Sequence, residues 1–74
     1  MIGFDTVVRE FKVGTTFYED VYGTRFEYLV TTNPKVIDDQ VTWDAINYDG
    51  GAQKFLITKG LEHYGPKLYW EGDY

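Results

Sequence analysis

The chain has 74 residues, with twelve Asp and Glu against seven Lys and Arg, a net charge of −5, no cysteine and 19% aromatic residues. A single domain of this size buries only roughly 60% of the surface its unfolded chain exposes, and without cysteine neither disulfides nor thiolate-held metal can supplement the core. The charge argues against general nucleic-acid binding, which rests on Lys and Arg neutralising phosphates, and against docking on anionic membranes.

The opening "MIGFDTVVREFKVG" lacks the basic start, long apolar run and small-residue cleavage site of a signal peptide. No apolar run approaches the ~20 residues needed to cross a bilayer. With cysteine absent as well, the expected location is cytoplasmic. Phe4, Val8 and Phe11 stand at helical spacing, with Asp5 or Thr6 available as a cap. One short helical turn followed by extended chain is predicted, although Phe11 and Val13 also alternate as in a strand.

In "TTFYEDV", Phe17, Glu19 and Val21 alternate with Tyr18, Asp20 and Tyr22; in "RFEYLVTT", Phe26, Tyr28 and Val30 alternate with Arg25, Glu27 and Leu29. The connection Tyr22-Gly23-Thr24 is short enough to join antiparallel neighbours. Asn33-Pro34 ends the second strand, because proline cannot donate to a ladder and restricts the residue before it. "KVIDD" is a connector or the start of a strand. "AINYDGGAQKFLIT" is the clearest hairpin signal, since Asp49-Gly50-Gly51 tolerates the positive φ of tight turns. Val41, Trp43 and Ala45 share one face there, and Phe55 and Ile57 share a face of the next strand, so Trp43 should pack near Phe55. "KGLEHYGPK" reads as a loop with room for one helical turn. It leads into "KLYWE", with Leu68 and Trp70 inward and Tyr69 outward.

Short antiparallel strands of this kind make an all-β domain, or a β-rich one with a short N-terminal helical turn. The predicted architecture is a meander over residues 1–74, curled into a small SH3-like barrel so that few strand edges are exposed. The expected core is Phe17, Phe26, Val30, Trp43, Phe55, Ile57, Leu68 and Trp70. The resemblance to SH3-like barrels is one of strand order; the "ALYDY" run and paired tryptophans of the peptide-binding SH3 family are not found in the chain.

Catalytic groups are sparse. There is neither cysteine nor serine, and His63 is the one side chain that ordinarily titrates near neutral pH. A triad needs a nucleophile, a base and an orienting acid in a water-excluding scaffold, and no such set is visible. Glu19/Asp20 and Asp38/Asp39 are adjacent pairs, which a strand sends to opposite faces. Counted from Asp44, a calcium loop would need oxygen ligands where Ile46, Tyr48 and Phe55 stand. No cofactor or metal is expected, and the chain reads as non-enzymatic.

Seven tyrosines exceed what so small a core encloses, and Tyr and Trp are favoured at protein interfaces for their large contact area. Tyrosines beside acids in "FYEDVY", "NYDGG" and "EHYGPKLYWEGDY" nominate Tyr18, Glu19, Asp20, Tyr22, Tyr48, Asp49, Tyr64 and Tyr69 as a protein-binding surface, with Tyr74 also outward. Such a surface suits a partner with a basic face. Small, acidic and cysteine-free, the chain has the form of an inhibitor or accessory protein of a phage or mobile element. Alternatives are a barrel that stacks single-stranded nucleic acid on Tyr18, Tyr22, Tyr28, Tyr64 and Tyr69 beside Lys54, Lys59 and Lys67, or a self-associating subunit of a larger assembly.

Overall fold

A computed structural model describes residues 1–73, and Tyr74 lies outside them. The elements run α1 (Phe4–Glu10), β1 (Thr16–Val21), β2 (Thr24–Val30), β3 (Lys35–Ile37), β4 (Gln40–Asn47), β5 (Ala52–Thr58), a 3₁₀ turn (Glu62–Tyr64) and β6 (Lys67–Tyr69). All ladders are antiparallel.

The N-terminal segment is helical, as its spacing predicts, but Val7 rather than Val8 turns inward with Phe4 and Phe11. Steps of three and four residues keep these side chains on one helix face. Neither Asp5 nor Thr6 caps the helix. It begins after Gly3, and the Phe4 N–H donates to Glu62 Oε2 at 3.4 Å, a carboxylate from the far end of the chain.

The strands form a meander in which β4 is the axis. One edge of β4 pairs with β5 along its length. The other edge pairs with β3 through Gln40–Thr42 and with β2 through Ala45–Asn47. Asn33-Pro34 breaks what would otherwise be one long strand, and "KVI" resumes pairing as β3. β1 lies beside β2, and β6 returns to pair with β1. β5 and β6 do not pair with each other, so the curled sheet is a half-barrel. The segment before α1 is tied to β6 by an Ile2 N–H to Leu68 carbonyl bond of 2.8 Å.

Turn chemistry follows the sequence closely. Tyr22-Gly23 joins β1 to β2 with both φ values positive, 52° and 82°, the two-residue turn whose twist matches the strands it joins. At the β4–β5 turn only Gly50 takes positive φ (85°). Gly51 is needed for a different reason. A Cβ there would stand 3.2 Å from the Asn47 side chain, whose Oδ1 accepts the N–H groups of Asp49 and Gly51 at 3.0 and 2.8 Å.

The core is a cluster of rings. Phe17 has its centroid 5.2 Å from Phe11, 5.6 Å from Tyr28, 5.9 Å from Trp43 and 5.1 Å from Phe55. Trp43 stacks on its cross-strand partner Phe55 at 5.5 Å, as its position predicts. Two core expectations need correction. Phe26 is 42% exposed, while Tyr28, offered as a surface stacking residue, is buried. Both occupy the inner face of β2, but Phe26 is two residues nearer the turn, where the hairpin projects past the packed interior. Trp70 follows β6 rather than belonging to it, and is half-buried with its ring edge-on to Phe11 at 5.4 Å.

Trp43 is 1% exposed, and its indole Nε1 has no hydrogen-bond partner among the described residues. Packing alone therefore holds it. Trp43→Ala should cost about 3–5 kcal/mol in denaturant unfolding; a near-wild-type midpoint would contradict its place in the core.

Candidate functional site

The β1–β2 hairpin outreaches its neighbour. β6 pairs with β1 only through Tyr18–Asp20, opposite Tyr69–Lys67, so Val21, Tyr22 and Gly23 overhang the start of β6. Between this overhang and the Gly65-Pro66 approach to β6 lies an open groove of about 560 Å³, bordered by Glu19, Asp20, Tyr22, Lys67 and Tyr69 among others.

Tyr22 stands at the rim. Its ring is fully exposed, and its backbone lies in the left-handed region, which costs a residue with a Cβ roughly 1–2 kcal/mol. Asp20 Oδ1 accepts the Gly23 N–H at 2.8 Å and helps to hold the turn. Tyr69, half-buried on the outer face of β6, takes the Arg25 guanidinium over its ring, 4.8 Å from the centroid, a cation–π contact.

Glu19 points the other way, onto the inner face opposite Phe26. Burial raises its carboxyl above the ordinary carboxylate range, and a hydrogen bond from the Gln53 side chain partly offsets this. Gln53 is itself fixed, because the Tyr28 hydroxyl donates to its Oε1 at 2.9 Å. Since that oxygen is the acceptor, the Gln53 NH₂ is the group left to serve Glu19. Burial, with the nearby Glu19 charge adding to it, pushes the Tyr28 hydroxyl up in turn.

Of the residues nominated from sequence, Glu19, Asp20, Tyr22 and Tyr69 converge on the groove. Tyr18 lies beside it, paired with Tyr69 across the outer face. Tyr64 is exposed in the adjoining 3₁₀ turn with its ring on His63 at 4.0 Å. Tyr48 and Asp49 do not join them. They occupy the β4–β5 turn, where Tyr48 borders a separate shallow cavity of about 250 Å³ with Leu29 and Ile46. Gly65, Pro66 and Gln53 were not nominated, and Lys67 was named only for the nucleic-acid alternative. No local signal marks Gln53, which reaches Glu19 only because the sheet curls.

Among the described residues, no three His, Asp or Glu side chains gather in a way that would hold a metal ion. No helix of the described residues is long and apolar enough to cross a membrane. Comparison with family models, curated proteins and solved structures returns no match for this chain.

Two outcomes follow from this geometry. Tyr22→Asn, which suits the left-handed turn position, should raise stability by about 1 kcal/mol; an unchanged or lowered denaturation midpoint would show the backbone to be relaxed. For Glu19 the folded state holds its proton more tightly than the unfolded one, so stability falls as pH rises from the ordinary Glu range through the raised value. The melting advantage of Glu19→Gln over wild type should therefore grow between pH 4 and pH 7. A constant difference across that span would show that the carboxylate is freely solvated.

Proposed function

We propose that the chain is a non-enzymatic protein-binding module, a small inhibitor or accessory protein that grips a partner in the groove beneath the β1–β2 hairpin. One observation carries the reading. The fully exposed Tyr22 ring is held at the groove rim on left-handed backbone, an arrangement that costs stability and gives the fold no packing in return. Strain of this kind is retained where a surface has work to do. Tyrosine offers large contact area for few rotatable bonds, and Glu19 and Asp20 in the same groove favour a basic partner.

The last strand returning beside the first after a 3₁₀ turn is the reason we read the half-barrel as SH3-like. An accessory protein of phage or mobile-element type, working in the cytoplasm, fits the small, cysteine-free composition.

Affinity capture with the wild type and with the Tyr22→Ala/Tyr69→Ala double variant tests the reading. A partner retained by the wild type should be lost from a double variant that melts like the parent; equal retention by both proteins would place the binding surface elsewhere.

A further inference from the structure

Across β6, β1 and β2, the residues Leu68, Glu19 and Phe26 stand in one row on the inner face. Leu68 is completely buried and Phe26 is 42% exposed, so the core ends in the middle of this row. Val21, the next inward residue of β1 toward the turn, is exposed as well. The fold thus leaves an apolar strip of its inner face uncovered and sets a single carboxylate, Glu19, at the strip's boundary with the groove.

That carboxylate is held in position. The Tyr28 hydroxyl fixes Gln53, and Gln53 bonds Glu19. Among the described residues the ion pairs are Arg9–Glu10 and Lys54–Asp44, neither of which involves Glu19, and Lys67 borders the same groove without pairing to it. The chemistry of an occupant follows by elimination. An anionic segment would meet like charge in a partly desolvated site. A wholly apolar segment would cover Glu19 and force it either to stay charged without a partner or to take up a proton, and both cost binding energy. A cation beside an apolar side chain satisfies both halves of the site. The carboxylate is already pre-positioned and partly stripped of water, so less is lost on forming a charge-assisted bond to it.

We propose that the groove receives an extended basic segment of the partner, one Arg or Lys pairing with Glu19 while a neighbouring apolar side chain covers Phe26 and Val21. This rests on the protein-binding reading above and adds the partner's chemistry to it.

Selection of a random heptapeptide phage library on the wild type and on Glu19→Gln tests the pairing, since the amide keeps the side chain's shape and removes its charge. Wild-type selectants should be enriched in Arg or Lys next to an apolar residue, and the variant should lose that enrichment. A synthetic wild-type selectant, followed by fluorescence anisotropy, should bind Glu19→Gln about tenfold more weakly, the scale of a charge-assisted contact. Citrulline in place of its Arg should weaken binding to the wild type by a similar factor and to Glu19→Gln hardly at all. Selectants without a cation, or cationic selectants bound equally by both proteins, would overturn the Glu19 pairing and leave the groove standing. If no selectant depends on Tyr22 and Tyr69, the groove reading falls along with it.

Discussion

Everything in this half-barrel depends on the ring of Phe17. It is completely buried, and four other aromatic rings lie within 6 Å of its centroid: Phe11 from the segment after α1, Tyr28 from β2, Trp43 from β4 and Phe55 from β5. A chain of 74 residues without disulfides has few means of holding a curled sheet. Here one side chain is shared by nearly every element that the curl must bring together. Edge-to-face and offset ring contacts add to the area they bury, and they fix the angle at which the strands approach.

The same cluster decides where the interior stops. Its rings fill the inner face of β1 and β2 as far as Phe17 and Tyr28, a cross-strand pair. One row nearer the turn the pair is Glu19 and Phe26, and there the Phe26 ring is left largely open to solvent. The boundary between scaffold and binding surface therefore lies within a single hairpin rather than between separate elements. Tyr28 belongs to both sides. Its ring stacks in the core while its hydroxyl fixes Gln53 and, through Gln53, Glu19. The carboxylate is positioned by the cluster that stabilises the fold.

The N-terminus shows how economically the open side is closed. Val7 and Phe11 are buried, Ile2 bonds the backbone of β6, and Glu62 supplies the acceptor that α1 lacks in its own sequence. A carboxylate near the start of a helix also meets the positive end of its dipole, and the backbone bonds hold Glu62 below the ordinary carboxylate range. Helix and 3₁₀ turn are thereby joined next to Gly65 and Pro66, which border the groove.

Alternation and turn chemistry determined most of the fold before any coordinate was needed. Side chains two apart on a strand must share a face, which placed Trp43 against Phe55 and sent Tyr69 opposite to Leu68. The short connection at Tyr22-Gly23-Thr24, the positive φ at Gly50 and the break at Asn33-Pro34 are properties of a few residues and their neighbours, whereas the left-handed backbone of Tyr22 was not to be read from its side chain. What local rules could not supply was extent. Alternation says that Phe26, Tyr28 and Val30 face the same way, but not how far the interior reaches along that face, so Phe26 and Tyr28 exchanged their expected places. Nor could spacing show that β6 would begin short of the β1–β2 turn and open a groove, or that Gln53 would meet Glu19. Those depend on the curl of the sheet, which joins residues far apart in sequence and is fixed only when all the rings around Phe17 are packed at once.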